Sequence, residues 1–351
     1  MVKGDFVFAI PGDLDTPTGG YIYDKRMIAE LRDLGWRPEV LNLGDGFPKP
    51  NALTLAAAKA HLTDVPKGRS IVIDGLAFGV LPDAAEALRE AHPLIALVHH
   101  PLALETGVTP QDAVRLRDSE RAALACTRGV IVTSPATART LAVDYGVSAE
   151  RITVAEPGTD RPKVVRRNSA GPAHLLAVGA VVPRKGYDVL TEALSLLLDL
   201  PWRLTIVGDC SRDPACAARL RADIARHRLD PRVTIEDAIP AERLAALYAS
   251  SDLFVLPSRY EGFGMAYAEA IAYGLPVIGT TAGAIPDTVP ATAGVLVPPD
   301  DAVALAATLR RLIAQPAERE RLAAGARAAA DALPTWRGSA ERFAQAIERA
   351  S

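Results

Sequence analysis

Three cysteines, Cys126, Cys210 and Cys216, are all that 351 residues contain. An odd number without paired metal-ligand spacing excludes a disulfide scaffold and a zinc-ribbon type of site, and fits a reducing compartment. Cys210 and Cys216 are near enough in sequence to pair, but unreacted thiols are the expected state. Charge of one sign is also missing. A net charge of -3 and a pI near 6.1 give no basic surface for nucleic acid, so no nucleic-acid partner is expected. No apolar run reaches the roughly 20 residues that span a bilayer, and no charged segment followed by an apolar one opens the chain. The expectation is a cytoplasmic protein without a transmembrane segment, soluble or held peripherally at the inner face of the membrane.

What is present is an ordinary globular composition, 49% hydrophobic and 23% charged, in a chain longer than one core usually serves. Two domains are expected. Short β-branched runs alternate with helical patterns, the mark of a parallel sheet covered on both faces. In the first half they read 5–10, 38–43, 70–75, 93–99, 129–134 and 151–156, and in the second 174–181, 203–208, 232–236, 252–258, 276–281 and 294–298. Between them the text from Arg161 to Pro172 turns polar and rich in Pro, Gly and charge, which places the boundary there. The expected division is residues 1–165, residues 172–335 and a terminal helix over 336–351. Two doubly wound α/β domains in tandem imply a cleft where strand ends from both converge.

The stretch Leu253 to Gly274, LFVLPSRYEGFGMAYAEAIAYG, carries the densest chemistry. An apolar run ends at Pro257-Ser258, and a loop then leads into a helix expected to begin near Met265. Gly262, Phe263 and Gly264 can bring backbone NH groups close to a ligand at a helix N-terminus, which attracts anions. Glu261 lies at the mouth of this loop, and Glu269 about one turn inside the helix. Two acids eight apart are by themselves more often caps of a solvated helix. The flanking strand and glycine loop favour a site.

Arg184 and Lys185 fall between a strand and a helix, flanked by Gly179 and Gly186. Adjacent cations there can neutralise a diphosphate, although a basic pair is also a common solvated turn. Gly19 and Gly20 precede the first helix, where they are either a backbone approach to a diphosphate or a plain turn. His99 ends the fourth strand, with His100 as the alternative in register, and a histidine at such an edge faces the ligand side of the sheet. A histidine satisfied in the wall of the core is the competing reading. Asp13-Leu14-Asp15 reads as a solvated turn rather than a metal pair, and no metal or other cofactor is expected. His61, His92, His174 and His227 are read as structural.

The spacing of EGFGMAYAE resembles the signature of the retaining glycosyltransferases of family 4, which have the GT-B fold of two Rossmann-like domains facing a central cleft. The resemblance covers nearly the whole chain and is densest from Ala177 to Pro299. It implies transfer of a hexosyl unit from a UDP- or GDP-sugar donor to an acceptor hydroxyl of unknown identity, on a sugar, lipid or small molecule. Transfer would be metal-independent, with retention by same-face substitution. It also implies roles: Glu261 toward the donor sugar, Glu269 on the ribose, Arg184 and Lys185 on the leaving diphosphate, and His99 near the sugar. The segment around Ile239 and Pro240 resembles the part that holds the base, and the terminal helix resembles those that return to the first domain. The chain departs from the family at Tyr21 to Asp24, at Asp237 and Ala238, and at Ala284 and Asp287. A nicotinamide oxidoreductase would require a G-x-G-x-x-G turn, which follows none of these strands. A non-catalytic nucleotide-sugar-binding or scaffold protein is the remaining alternative.

Overall fold

The computed structural model describes residues 4–16, 18–105, 107–162 and 171–351. Its strands are β1 (Gly4–Ile10), β2 (Trp36–Asn42), β3 (Ser70–Asp74), β4 (Leu94–Val98), β5 (Gly129–Val132), β6 (Ile152–Val154), β7 (Ala173–Val178), β8 (Trp202–Val207), β9 (Val233–Glu236), β10 (Leu253–Val255), β11 (Val277–Thr280) and β12 (Gly294–Val297). Each expected run overlaps one of them, with ends shifted by one or two residues in several. β10 stops at Val255, short of the expected 258, because Pro257 has no NH to donate to a ladder. β4 ends at Val98, so His99 lies just past its C-terminal end.

The chain divides into two compact units, Met1–Gly158 with Pro334–Ser351, and Thr159–Leu333. The polar stretch expected at the boundary lies mostly outside the described residues. In the first unit the strand order is β2-β1-β3-β4-β5-β6, and in the second β12-β11-β10-β7-β8-β9, every pairing parallel. β3 and β4 are buried along their whole length, which is why SIVID and LIALV carry no polar alternation. Strand order reverses between β1 and β3 in the first unit and between β7 and β10 in the second. Those two points are where an open parallel sheet leaves a crevice at its C-terminal edge.

The terminal helix Trp336–Ala350 belongs to the first unit. Thr335 caps it through Gly338 N, and Trp336, Ala340, Phe343, Ala344 and Ile347 form one buried stripe at helical spacing. Phe343 meets Phe8 of β1 with ring centroids 5.9 Å apart, and Trp336 meets Tyr23 at 6.0 Å. The three cysteines are free thiols.

Candidate functional site

In the second unit both loops at the reversal carry charge. After β7 the chain makes a tight turn, Pro183–Lys185, ended by Gly186 at φ 70°. A Cβ on Gly186 would lie 2.1 Å from the Pro257 carbonyl oxygen, so only glycine lets this turn sit against the loop after β10. The backbone seals the contact, since Arg259 N donates to Arg184 O at 2.7 Å.

The side chains converge on Glu261. Lys185 Nζ donates to its Oε1 at 2.6 Å, Arg184 Nη1 to its Oε2 at 3.1 Å and to Tyr260 O at 2.8 Å, and Ser258 Oγ to Oε1 at 2.7 Å. Glu261 is only 6% exposed. Burial alone would push its carboxyl up, but the charges of Lys185 and Arg184, with the hydrogen bonds, outweigh it and hold the group down at about 2. Glu261, expected at the mouth of its loop, is a buried anion clasped by both cations. Two cations thus meet on one carboxylate at the reversal.

The loop that follows is fixed at several points. Ala284 N donates to Glu261 O at 2.9 Å, and the hydroxyl of Thr288 to Phe263 O at 2.6 Å. Phe263 is buried and Gly262 half-buried. Gly264, at φ 93°, caps the helix Met265–Ala272, which begins where the sequence indicated. Among the described residues no carbonyl accepts from the backbone NH of Gly262, Phe263 or Gly264. Glu269 lies one turn into the helix, half-buried, and its Oε2 accepts from the Tyr248 hydroxyl at 2.8 Å. Burial raises its carboxyl above the ordinary range, and the Tyr248 hydrogen bond opposes that shift. Tyr248, missed in the sequence, stacks on Tyr273 with centroids 5.2 Å apart, which fixes the hydroxyl under Glu269. Ile239 follows β9, half-buried against the core of this unit. Beside it, Asp237 accepts from Cys210 N at 3.1 Å and so ties the loops after β8 and β9.

The first unit has a different centre at its own reversal. Gly19 and Gly20 open the helix Gly19–Asp33, with Thr18 as its cap. Gly20 rests on the His99 ring, where a Cβ would stand 3.4 Å from Cδ2. His99 Nε2 lies 3.3 Å from Asp24 Oδ1 and 3.2 Å from Asp74 Oδ2. Tyr23 meets the ring edge-on at 5.3 Å. Burial would lower the imidazole, but Asp24 and Asp74 prevail and raise it to about 10. His100 turns instead to Glu105, with Nε2 2.9 Å from Oε2.

Asp24 and Asp74 were not singled out in the sequence, though both left a signal. Asp24 falls on the buried stripe Asp24, Met27, Ile28 and Leu31, and Asp74 ends a strand that is otherwise buried and apolar except for Ser70. These two acids and His99 are the group of carboxylates and imidazole, among the described residues, whose ligand atoms lie within 4.8 Å of one another. Asp13 and Asp15 do not join it. Asp13 accepts from Asp15 N, and Asp15 pairs with Lys25 on the surface. The other four histidines are tied locally, His174 to Thr205 and His92 to Arg69 O in the interior, His61 to Asn42 O and His227 to Arg226 at the surface.

Residues 172–315, which span this charged reversal, match the model of the family described as glycosyl transferases group 1. The chain is similar to the group 1 glycosyl transferases over that stretch. It is 27% identical over 329 residues to the MMP alpha-(1->4)-mannosyltransferase of Mycolicibacterium hassiacum, covering 87% of this chain and 76% of that protein. It is 32% identical over 249 residues to the D-inositol 3-phosphate glycosyltransferase of Thermomonospora curvata, covering 64% of this chain and 57% of the relative. The match thus spans little more than half the length of that relative. The fold is that of the GT-B glycosyltransferases. Sucrose-phosphate synthase from Thermosynechococcus elongatus superposes with a TM-score of 0.79 at 23% identity, over 97% of this chain and 98% of that one. HepE from Anabaena, solved in complex with UDP and glucose, gives 0.75 at 19% identity over 97% and 99%. No helix among the described residues is long and apolar enough to cross a membrane.

Proposed function

We propose that the protein transfers a hexosyl unit from a UDP- or GDP-sugar to an acceptor hydroxyl, with retention at the anomeric carbon and without a metal ion. The observation that carries this reading is the clasp of Glu261 by Arg184 and Lys185 at the reversal of the second sheet. It supplies two fixed cations where a parallel sheet offers its crevice, and negative charge develops on a departing diphosphate. The backbone NH groups of residues 262–264, ahead of a helix N-terminus, add donors for the same anion. HepE, of like fold, binds UDP-glucose in its own crystal structure, which agrees with a nucleotide-sugar donor.

In this reading Arg184 and Lys185 bind the diphosphate and stabilise it as the bond to the sugar breaks. Glu261 keeps both cations at fixed positions through its ionised carboxylate, and a donor-sugar hydroxyl is its further partner. Glu269, its Oε2 occupied by Tyr248, offers Oε1 to the ribose. Same-face substitution accounts for retention because the leaving phosphate itself can take the acceptor proton. The double displacement of retaining glycosidases needs a second carboxylate across the scissile bond. A thermal-shift and product-release panel of UDP-, GDP- and ADP-sugars tests the proposal. One base should raise the melting temperature, and its sugar should release nucleoside diphosphate. A flat panel in both readouts overturns it, and stabilisation without release assigns the chain to the non-catalytic binders.

A further inference from the structure

Asp24 is completely buried, and neither of its carboxylate oxygens has a hydrogen bond of good geometry. An ionised carboxylate without compensation in such a place costs several kcal/mol, and burial pushes the Asp24 carboxyl up to about 7 against the pull of a neighbouring donor, so a nearby cation is what keeps it ionised. The group in position is His99, whose buried Nε2 stands between Asp24 at 3.3 Å and Asp74 at 3.2 Å. An unprotonated Nε2 would put three acceptors face to face. A proton on Nε2 alone would leave two buried carboxylates against a neutral ring, and a second proton on the ring reduces the net charge of the cluster from two negative charges to one. Gly20 covers the Cδ2–Nε2 edge of the ring, and the His99 side chain is nevertheless 20% exposed. The open edge is therefore the one bearing Nδ1.

We propose that Asp24 and Asp74 are positioning residues that hold His99 as an imidazolium, its Nε2–H turned into the carboxylates and its Nδ1–H presented at the open edge as a cationic donor. Nδ1–H is suited to an oxygen-rich, strongly polar ligand, since the cluster as a whole keeps one negative charge. Among the described residues the groups facing His99 are few. Asp24 and Tyr23 come from the first helix and Asp74 from the end of β3. The Tyr23 phenol donates to Ala155 O, and burial keeps it neutral. Behind Tyr23 lies Trp336, with Arg26 over its ring at 4.9 Å. Next along the chain His100 is paired with Glu105, and from the β5 side the Thr133 hydroxyl donates to the His99 carbonyl at 3.1 Å. The charge balance at the ring is set by the two aspartates.

The electrostatic statement stands apart from the transfer reaction, and only its consequence for rate rests on the function proposed above. The experiment is heteronuclear NMR of the full chain, with the His99 ring signal assigned by its loss in His99→Gln. The wild-type ring should keep imidazolium shifts from pH 6 to pH 9. In Asp24→Asn its titration should fall by about 2 pH units, and the pH profile of transfer should gain a falling alkaline limb. Asp74→Asn serves as a second variant if the first does not fold, with the same expectation. A wild-type His99 titrating near 6.5, or an unchanged titration in both variants, overturns the proposal. So does one equivalent of a divalent metal in the purified protein whose removal by chelator shifts the His99 signal. A protein that transfers no sugar defeats the functional reading while leaving the NMR result to decide this one.

Discussion

The two sheets solve the same problem with opposite charge. At the reversal of the second sheet one buried carboxylate, Glu261, lies between two cations, and at the reversal of the first one imidazole, His99, lies between two carboxylates. Each central group is driven far from its ordinary protonation behaviour, Glu261 down to about 2 and His99 up to about 10. The arrangement is inverted, two cations on one carboxylate around Glu261 and two carboxylates on one imidazole around His99. A shared topology therefore fixes where a charged centre sits, and the side chains at that place decide which charge the ligand meets.

The strongest way to break this comparison is to remove the central group of the second sheet. Glu261→Ala leaves Arg184 and Lys185 without their common anion in a largely buried place, and such a loss costs about 3–5 kcal/mol of stability. Urea unfolding should show that loss, together with a fall in transfer of at least about 10²-fold. Glu261→Gln keeps the shape and should unfold at an intermediate urea concentration. Equal stability of wild type and Glu261→Ala would show that the clasp contributes nothing.

pH separates the two centres. The folded value of Glu261 lies below its unfolded 4.5, so its contribution is complete above 4.5 and lost as pH falls toward about 2. For His99 the folded value lies above the unfolded 6.5, so its contribution is complete below 6.5 and lost as pH rises toward about 10. Thermal melts across pH should show an acid decline that disappears in Glu261→Gln and an alkaline decline that disappears in His99→Gln. Declines that persist unchanged in both variants would assign the pH dependence elsewhere.

The smallest expected effect concerns the ribose side. Tyr248→Phe removes one hydrogen bond from Glu269 and should cost about 1 kcal/mol in donor affinity, seen as a few-fold rise in KM with little change in kcat. A change in kcat alone would place Tyr248 in the chemical step instead.

The sequence made the second sheet far more legible than the first. The strand runs, the start of the helix at Met265 and the proximity of Arg184 and Lys185 to Glu261 all follow from local pattern, since glycines and charges cluster at two loops that reversal brings together. What the pattern could not give was the direct ion pairing, because contact between residues 76 positions apart depends on the Gly186 approach to Pro257. In the first sheet His99 was visible from its strand end, but its partners come from a helix and a strand end that look like ordinary core and turn. A single acid on an apolar helical stripe, such as Asp24, is the one local mark that this centre leaves in the helix.

The central claim is that the positive centre of the second sheet takes the nucleoside diphosphate. Isothermal titration of UDP and of GDP into wild type and Lys185→Ala tests it most directly. One nucleotide should bind wild type at one site per chain, and Lys185→Ala, still folded by circular dichroism, should bind it at least about tenfold more weakly, as loss of a charged hydrogen bond of about 1.5–3 kcal/mol requires. Equal affinity in the two proteins, or no binding of either nucleotide to wild type, would contradict the account.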